Sequence, residues 1–330
     1  MDENQTRNSA AIVVEGLAKR FGDVVALDHI DFEVPTGTVF GLLGPNGAGK
    51  TTAIRILATV LRPDAGRALV LGHDVVRDAD EVRYRIGLAG QYAAVDPNLT
   101  GRENLRLTGR LAQLPNDEAR MQADGLLERF DLAGAADRPA RTYSGGMRRR
   151  LDVAAALVQR PPVVFLDEPT TGLDLFSRNG LWGMIRELVA EGTTVLLTTQ
   201  YLEEADRLAD RIAVVDGGKV IANDTPAALK ARLGSTVVEL GLGDGARAAR
   251  AQDLISRTIG VRPERDGATV RLTSSEGSRV LIEVLRALDD EDLTPATLAV
   301  REPSLDDVFI ALAGHRPEGD GATAPDGGAS

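Results

Sequence analysis

Short apolar runs alternate along this chain with longer stretches of helical periodicity. Four runs stand out: Thr38–Leu43, Val163–Leu166, Thr194–Thr199 and Arg211–Val215, each leucine-rich or β-branched and free of polar alternation. Strands covered on both faces read this way, because neither face meets water. The alternation predicts an α/β architecture. The first three runs end at residues suited to phosphate chemistry, and open α/β sheets place ligands at the carboxyl ends of their strands. From Leu99 to about Ala140 the pattern turns helical and rich in arginine and glutamate, which predicts a helical insertion within about residues 92–160. Near Gly234 the character changes again. Ser235–Leu242, Ala268–Thr273 and Leu293–Val300 read as strands, and Ala246–Ile259, Ser278–Asp289 and Ser304–Ala313 as helices. The expected organisation is a large domain over 11–234 and a small α+β domain over 235–313. Residues 1–10 and 314–330 carry too little apolar surface to fold and are expected to be disordered.

Composition narrows the classes. At 330 residues, with 43% hydrophobic and 26% charged positions, the chain is long enough for one large or two modest cores and reads as a globular protein. A net charge of −11 argues against a nucleic-acid partner, which calls for a basic face. There are no cysteines, so disulfides, thiolate metal sites and cysteine nucleophiles are excluded, as suits a cytosolic chain. No apolar run approaches the length of a membrane span, and the polar start does not read as a signal peptide. Any membrane role therefore requires a partner. His29, His73 and His315 are scattered and suggest no histidine metal site.

Three motifs carry the chemistry. Gly44–Thr52, GPNGAGKTT, fits G-x-x-x-x-G-K-[ST] between a predicted strand and the helical pattern Thr52–Leu61, the context a phosphate-binding loop requires. Gly44, Gly47 and Gly49 permit the tight turn whose N–H groups converge on phosphate oxygens. The following helix points its positive end at the same anion. Lys50 is placed to reach the β- and γ-phosphates, and the Thr51 hydroxyl to ligate Mg²⁺. VVFLDE, Val163–Glu168, sets two carboxylates at the end of a buried strand. Asp167 suits a role holding Mg²⁺ through its water shell, and Glu168 one orienting and deprotonating an attacking water. YSGGMRRR, Tyr143–Arg150, opens the helical run Met147–Val158 with a serine and two glycines. It is either a second anion-binding helix start or an ordinary helix capped by Ser144. Arg148–Arg150 read equally well as a solvated face.

In order and spacing these elements, with TGLD at Thr171–Asp174, resemble the ABC-type ATPases over approximately residues 11–230. The resemblance implies a P-loop NTPase (ABC ATPase) fold with a helical subdomain, and ATP with Mg²⁺ as the ligands. It implies that Pro45, Asn46, Ala48 and Thr52 share the loop's contacts with nucleotide, and that Gln91 contacts both the metal and a transport subunit. It further implies that Phe21 stacks on adenine, and that Asp174 links the two sites of a dimer. Two such domains pack head to tail in that family, so Ser144, Gly145 and Gly146 of one copy would close on the γ-phosphate held by Lys50 of the other. Stacking on Phe21 tolerates any purine, so GTP is expected to be accepted too, more weakly.

Three positions depart from the family pattern. Gln200 stands where most members have a histidine; its amide can still donate to the γ-phosphate but does not titrate near neutrality. Met147 follows SGG in place of glutamine, and Leu175 follows Asp174 in place of proline. TTQYLEEAD around Gln200, GQY at Gly90–Tyr92, YSGGMRRRLD at Tyr143–Asp152 and PSLDDVF at Pro303–Phe309 resemble a narrower group. These are the ATP-binding subunits of daunorubicin/doxorubicin-type drug exporters. That group implies a homodimer at the cytoplasmic face of the cell membrane, peripheral to a separate integral-membrane permease. An importer ATPase, a soluble ATPase that remodels nucleic acid or ribosomes, and a non-catalytic nucleotide switch are the competing readings. Acidic charge and a single ATPase domain oppose the second, and retention of Asp167 and Glu168 opposes the third. The transported substrate is not legible in the chain.

Overall fold

The computed structural model describes residues 10–91, 94–233, 236–260, 263–274 and 278–313. The expectations of disorder for 1–10 and 314–330 thus fall outside it, save that Ala10 opens the first strand. The chain separates into two compact units between Asp224 and Thr225.

The first unit holds two sheets. One is a four-stranded antiparallel sheet, ordered β2-β1-β4-β5, from β1 (Ala10–Phe21), β2 (Val24–Pro35), β4 (Ala65–Val70) and β5 (His73–Asp74). The other has six strands ordered β10-β9-β3-β8-β7-β6. They are β3 (Val39–Leu43), β6 (Ile86–Ala89), β7 (Val163–Asp167), β8 (Thr194–Thr199), β9 (Arg211–Asp216) and β10 (Lys219–Asp224). Its strands are parallel except β10, which turns back against β9. Helix α1 (Lys50–Leu57) packs Ile54, Ile56 and Leu57 into a core shared by both sheets, where Phe32 stacks on Phe40 with ring centroids 5.4 Å apart. Every residue of β3, β7 and β8 is buried, which accounts for their lack of polar alternation.

Helix α2 (Ala79–Arg85) leads into β6. Between β6 and β7 the described residues form α3 (Gly101–Leu111), α4 (Asn116–Arg129) and α5 (Gly145–Ala156), with short 3₁₀ turns. Thr100 and Glu103 close a capping box at the start of α3, which fixes where that helix begins. Helices α6 (Leu175–Ala190) and α7 (Leu202–Leu208) follow β7 and β8.

The second unit opens with α8 (Pro226–Ala231), capped by the Thr225 hydroxyl. This helix precedes the change of character near Gly234 and groups with the second unit because it packs against α11 (Leu305–Ala313). Strands β11 (Thr236–Gly241), β12 (Glu264–Asp266), β13 (Thr269–Ser274) and β14 (Thr297–Arg301) form an antiparallel sheet ordered β12-β13-β11-β14. Helices α9 (Gly245–Ile259) and α10 (Ser278–Asp290) share the core of this unit with Val238, Leu240, Val270 and Leu272. Strand β14 starts later than the periodicity of Leu293–Val300 suggests, because Leu293 is buried in that core beyond the end of α10. PSLDDVF has a local explanation. Asp307 accepts from the Ser304 N–H at 2.8 Å and from both terminal nitrogens of Arg301, fastening the start of α11 to β14. Burial opposes the Asp307 charge, but the Arg301 and Ser304 donors outweigh it and hold the carboxyl below its ordinary range.

Candidate functional site

The loop Gly44–Thr52 joins β3 to α1, and its path requires glycine. A Cβ on Gly44 would lie 2.1 Å from the Val215 carbonyl oxygen, and one on Gly49 2.3 Å from that of Ala26. Gly49 also has φ +105°, outside the range of other residues. Asn46 and Gly47 are exposed on the rim beside half-buried Pro45, while Ala48 is buried against the core. Lys50 folds back under the loop, its ammonium donating to the Gly44 and Pro45 carbonyls at 2.7 and 2.8 Å. Burial lowers its pKa, and the charges of Glu168 and Asp167 work in the opposite direction. Thr52 follows in the first turn of α1.

Strand β7 delivers the carboxylates. Buried Asp167 accepts from Thr51 Oγ1 at 3.0 Å and from Thr198 Oγ1 at 2.6 Å. Gln91 Nε2 donates to the same Thr51 hydroxyl at 3.3 Å. Thr51, Gln91 and Asp167, the three expected metal-site residues, therefore form one connected chain. Their hydroxyl, amide and carboxylate are hard oxygen donors that fit Mg²⁺, an ion that keeps part of its water shell and takes phosphate oxygens. Glu168, next along, has φ +49°. That sparsely populated backbone is held by its N–H, which donates to Thr198 Oγ1 at 2.9 Å and to the Thr198 carbonyl at 3.2 Å. Thr171 Oγ1 donates to Glu168 Oε2 at 3.2 Å.

Ser144 caps α5, its hydroxyl accepting from the Met147 N–H at 3.2 Å, and it faces solvent with Gly145. Both readings of this serine are thus geometrically compatible: its hydroxyl caps the helix through the Met147 N–H, and Ser144 and Gly145 are exposed at the helix start where an anion would sit. Gly146 lies against α6, where an added Cβ would sit 2.7 Å from Ser177 Oγ. Asp174 caps α6 and is held below its ordinary pKa by the Ser177 N–H and hydroxyl. Gln200, at the end of β8, has its amide oxygen buried without a hydrogen-bond partner among the described residues. Phe21 ends β1 half exposed, with Lys19 Nζ 5.6 Å from its ring centroid. Tyr92 lies outside the described residues.

Sequence reasoning missed four groups. The Thr198 and Thr171 hydroxyls orient Asp167 and Glu168, yet threonine in and after a strand is ordinary. Arg149 and Asp152 form a largely buried ion pair behind the site, at 3.1 Å. Of the three arginines read as a solvated face, only Arg148 is exposed.

Residues 27–171 match the family model described as ABC transporter. The chain is 54% identical over 310 residues to a daunorubicin resistance ATP-binding protein, DrrA2, of Streptomyces coeruleorubidus, covering 93% of this chain and 96% of that protein. It is 51% identical to the daunorubicin/doxorubicin resistance ATP-binding protein DrrA of Streptomyces peucetius, with 94% of each covered. The Nod factor export ATP-binding protein I of Ralstonia nicotianae is 41% identical over 304 residues, with 92% and 93% covered. Among solved structures, the ATP-binding subunit of an ABC transporter superposes with a TM-score of 0.62 at 26% identity, covering 67% of this chain and 92% of that one. An ATP-binding cassette solved as a dimer in a post-hydrolysis state with ADP and Pi has a TM-score of 0.60 at 25% identity, covering 65% and 98%. Fold, loop geometry and kinship agree: the chain belongs to the ATP-binding, ATP-hydrolysing subunits of ABC transporters.

Proposed function

We propose that this chain powers a membrane exporter of drugs or hydrophobic natural products, as a homodimer bound to a separate permease at the cytoplasmic face of the membrane. The observation that carries the reading is likeness above 50% identity, over 93% or more of each chain, to ATP-binding proteins named for daunorubicin resistance. Among the described residues no helix is long and apolar enough to cross a membrane.

In this reading the N–H groups of Gly44–Thr52 cradle the phosphates and Lys50 leaves its carbonyl acceptors for the β- and γ-oxygens. Mg²⁺ neutralises developing phosphate charge when bound, with Thr51, Asp167 and Gln91 as the residues that hold it. Glu168 orients a water toward the γ-phosphorus and takes its proton. Phe21 stacks on the base of ATP or, more weakly, GTP. Ser144 and Gly146 of a second copy close on the γ-phosphate, and Asp174 connects the two sites.

Co-expression with a permease tests the proposal. The chain is expected to move from the soluble to the membrane fraction and to raise survival in daunorubicin, an effect that Lys50→Ala removes. A chain that associates with the permease yet leaves survival unchanged would point to another cargo.

Gln200 supplies a pH prediction. A glutamine cannot titrate, so the wild-type rate is expected to lack a limb from this position. Gln200→His is expected to introduce one near pH ~6.5, the ordinary histidine value. Rates measured from pH 5.5 to 8.5 that superpose for the two proteins would remove Gln200 from the γ-phosphate's surroundings.

A further inference from the structure

Arg149 lies on α5, five residues after Ser144, with its side chain turned inward. Its Nε donates to the Pro169 carbonyl at 2.9 Å and its Nη2 to the Asp167 carbonyl at 2.8 Å, the carbonyls of the residues on either side of Glu168. Nη1 donates to the Gly90 carbonyl, immediately before Gln91, at 2.5 Å, and to Asp152 Oδ2 at 3.1 Å. Asp152, one turn further along α5 and 1% exposed, accepts the Ala94 N–H at 2.7 Å through its other oxygen. One ion pair on one helix thus grips the chain on both sides of Glu168 and on both sides of Gln91.

The chemistry of this grip is specific to arginine. A guanidinium is planar, always charged, and donates in fixed directions to several acceptors at once; an ammonium is a point charge that cannot span them. The grip also acts where the backbone needs it, because Glu168 occupies a left-handed conformation that non-glycine residues hold only when their surroundings enforce it.

We propose that Arg149, paired with Asp152, is a positioning residue for ATP hydrolysis: it sets the peptide groups that aim Glu168 and Gln91 from the helix that carries Ser144. The inference rests on the roles given above to Glu168 and Gln91. It adds a coupling within one chain. A shift of α5 that moves Ser144 at one nucleotide site also moves the base and the metal-side glutamine of the chain's own site, because Arg149 and Ser144 ride on the same helix. The two sites of a dimer then act in concert without a separate relay.

The test uses the full-length protein carrying Arg149→Lys, which keeps a cation beside Asp152 but loses the fork, and in parallel Glu168→Gln. Steady-state turnover, equilibrium ATP binding, the Mg²⁺ concentration for half-maximal rate and the melting temperature are measured for each. Arg149→Lys is expected to lower kcat at least ~10-fold and to raise the Mg²⁺ requirement, because small misplacements of catalytic groups are costly. ATP affinity is expected to stay within about twofold, since the phosphate loop does not touch Arg149. The Tm is expected to remain within about 3 °C of the parent. A kcat within about twofold of the parent would overturn the proposal. So would a rate loss that tracks falling ATP affinity and Tm, which is the signature of a structural prop. If instead Glu168→Gln retains full turnover, the assignment of the base fails, and that failure is separate from the first.

Discussion

Replacing Glu168 by glutamine is expected to lower ATP turnover by ~10²–10⁴-fold, the range associated with loss of a positioned general base. ATP affinity is expected to hold within about twofold, because phosphate recognition belongs to the loop and Lys50 rather than to this carboxyl. The substitution is nearly isosteric. Its amide oxygen can still accept from Thr171 Oγ1, as Glu168 Oε2 does at 3.2 Å, and the Thr198 contacts to the residue's N–H do not involve the side chain. The left-handed backbone at this position is therefore retained, and what changes is the ability to take a proton from water. Phosphate release measured beside equilibrium nucleotide binding separates the two effects. With hydrolysis blocked and binding intact, the variant is also expected to accumulate as an ATP-bound dimer in size-exclusion chromatography. Turnover at the parental rate would mean that another group accepts the proton.

The parts of the fold that could be read from the chain were those in which local pattern and tertiary environment say the same thing. Strands β3, β7, β8 and β9 match their apolar runs to within a residue at each end, because helices or sheet cover both faces and no polar alternation interrupts them. The antiparallel sheet built on β1 and β2 was not singled out. Its strands are only half covered, with Leu27, Ile30, Phe32 and Val34 buried between polar neighbours. Register shifts along the β1–β2 pair also break the strict alternation that would have marked them.

The site divides along the same line. Lys50, Thr51, Asp167 and Glu168 announce themselves because the chemistry requires those residue types in a fixed local context; the structure joins Thr51, Asp167 and Glu168 through direct or shared hydrogen bonds and sets the Lys50 charge in the field of both carboxylates. Arg149 does not. Three consecutive arginines point in different directions on a helix, and which one turns inward depends on how α5 packs against β7 and the segment around Gly90. Thr198 is hidden for a related reason: its hydroxyl matters only because the parallel register places it opposite Asp167.

Ser144→Asp tests whether that serine completes a site in a second copy. Aspartate caps a helix about as well as serine, so the hydrogen bond now made to the Met147 N–H is retained and α5 keeps its start. The substitution nevertheless sets a carboxylate where the proposal brings in a γ-phosphate. Turnover is expected to fall by at least ~10²-fold through repulsion of like charges, while each chain still binds ATP at its own loop. Lys50→Ala, by contrast, is expected to fail at the loop while keeping a sound Ser144. Each variant alone forms only defective sites. Mixed in equal amounts, they assemble some dimers in which the intact loop of one chain meets the intact helix start of the other. Random pairing across a two-fold axis then restores about a quarter of the composite sites. Activity that reappears on mixing is a result that only a shared site produces, since a site confined to one chain stays defective in either partner. If the mixture is as inactive as its components while light scattering shows that mixed dimers form, then either Ser144 serves the site of its own chain or one intact site per dimer does not turn over. Covalently linked dimers with a single Ser144→Asp substitution, in either half, distinguish these two outcomes by whether the remaining wild-type site hydrolyses ATP.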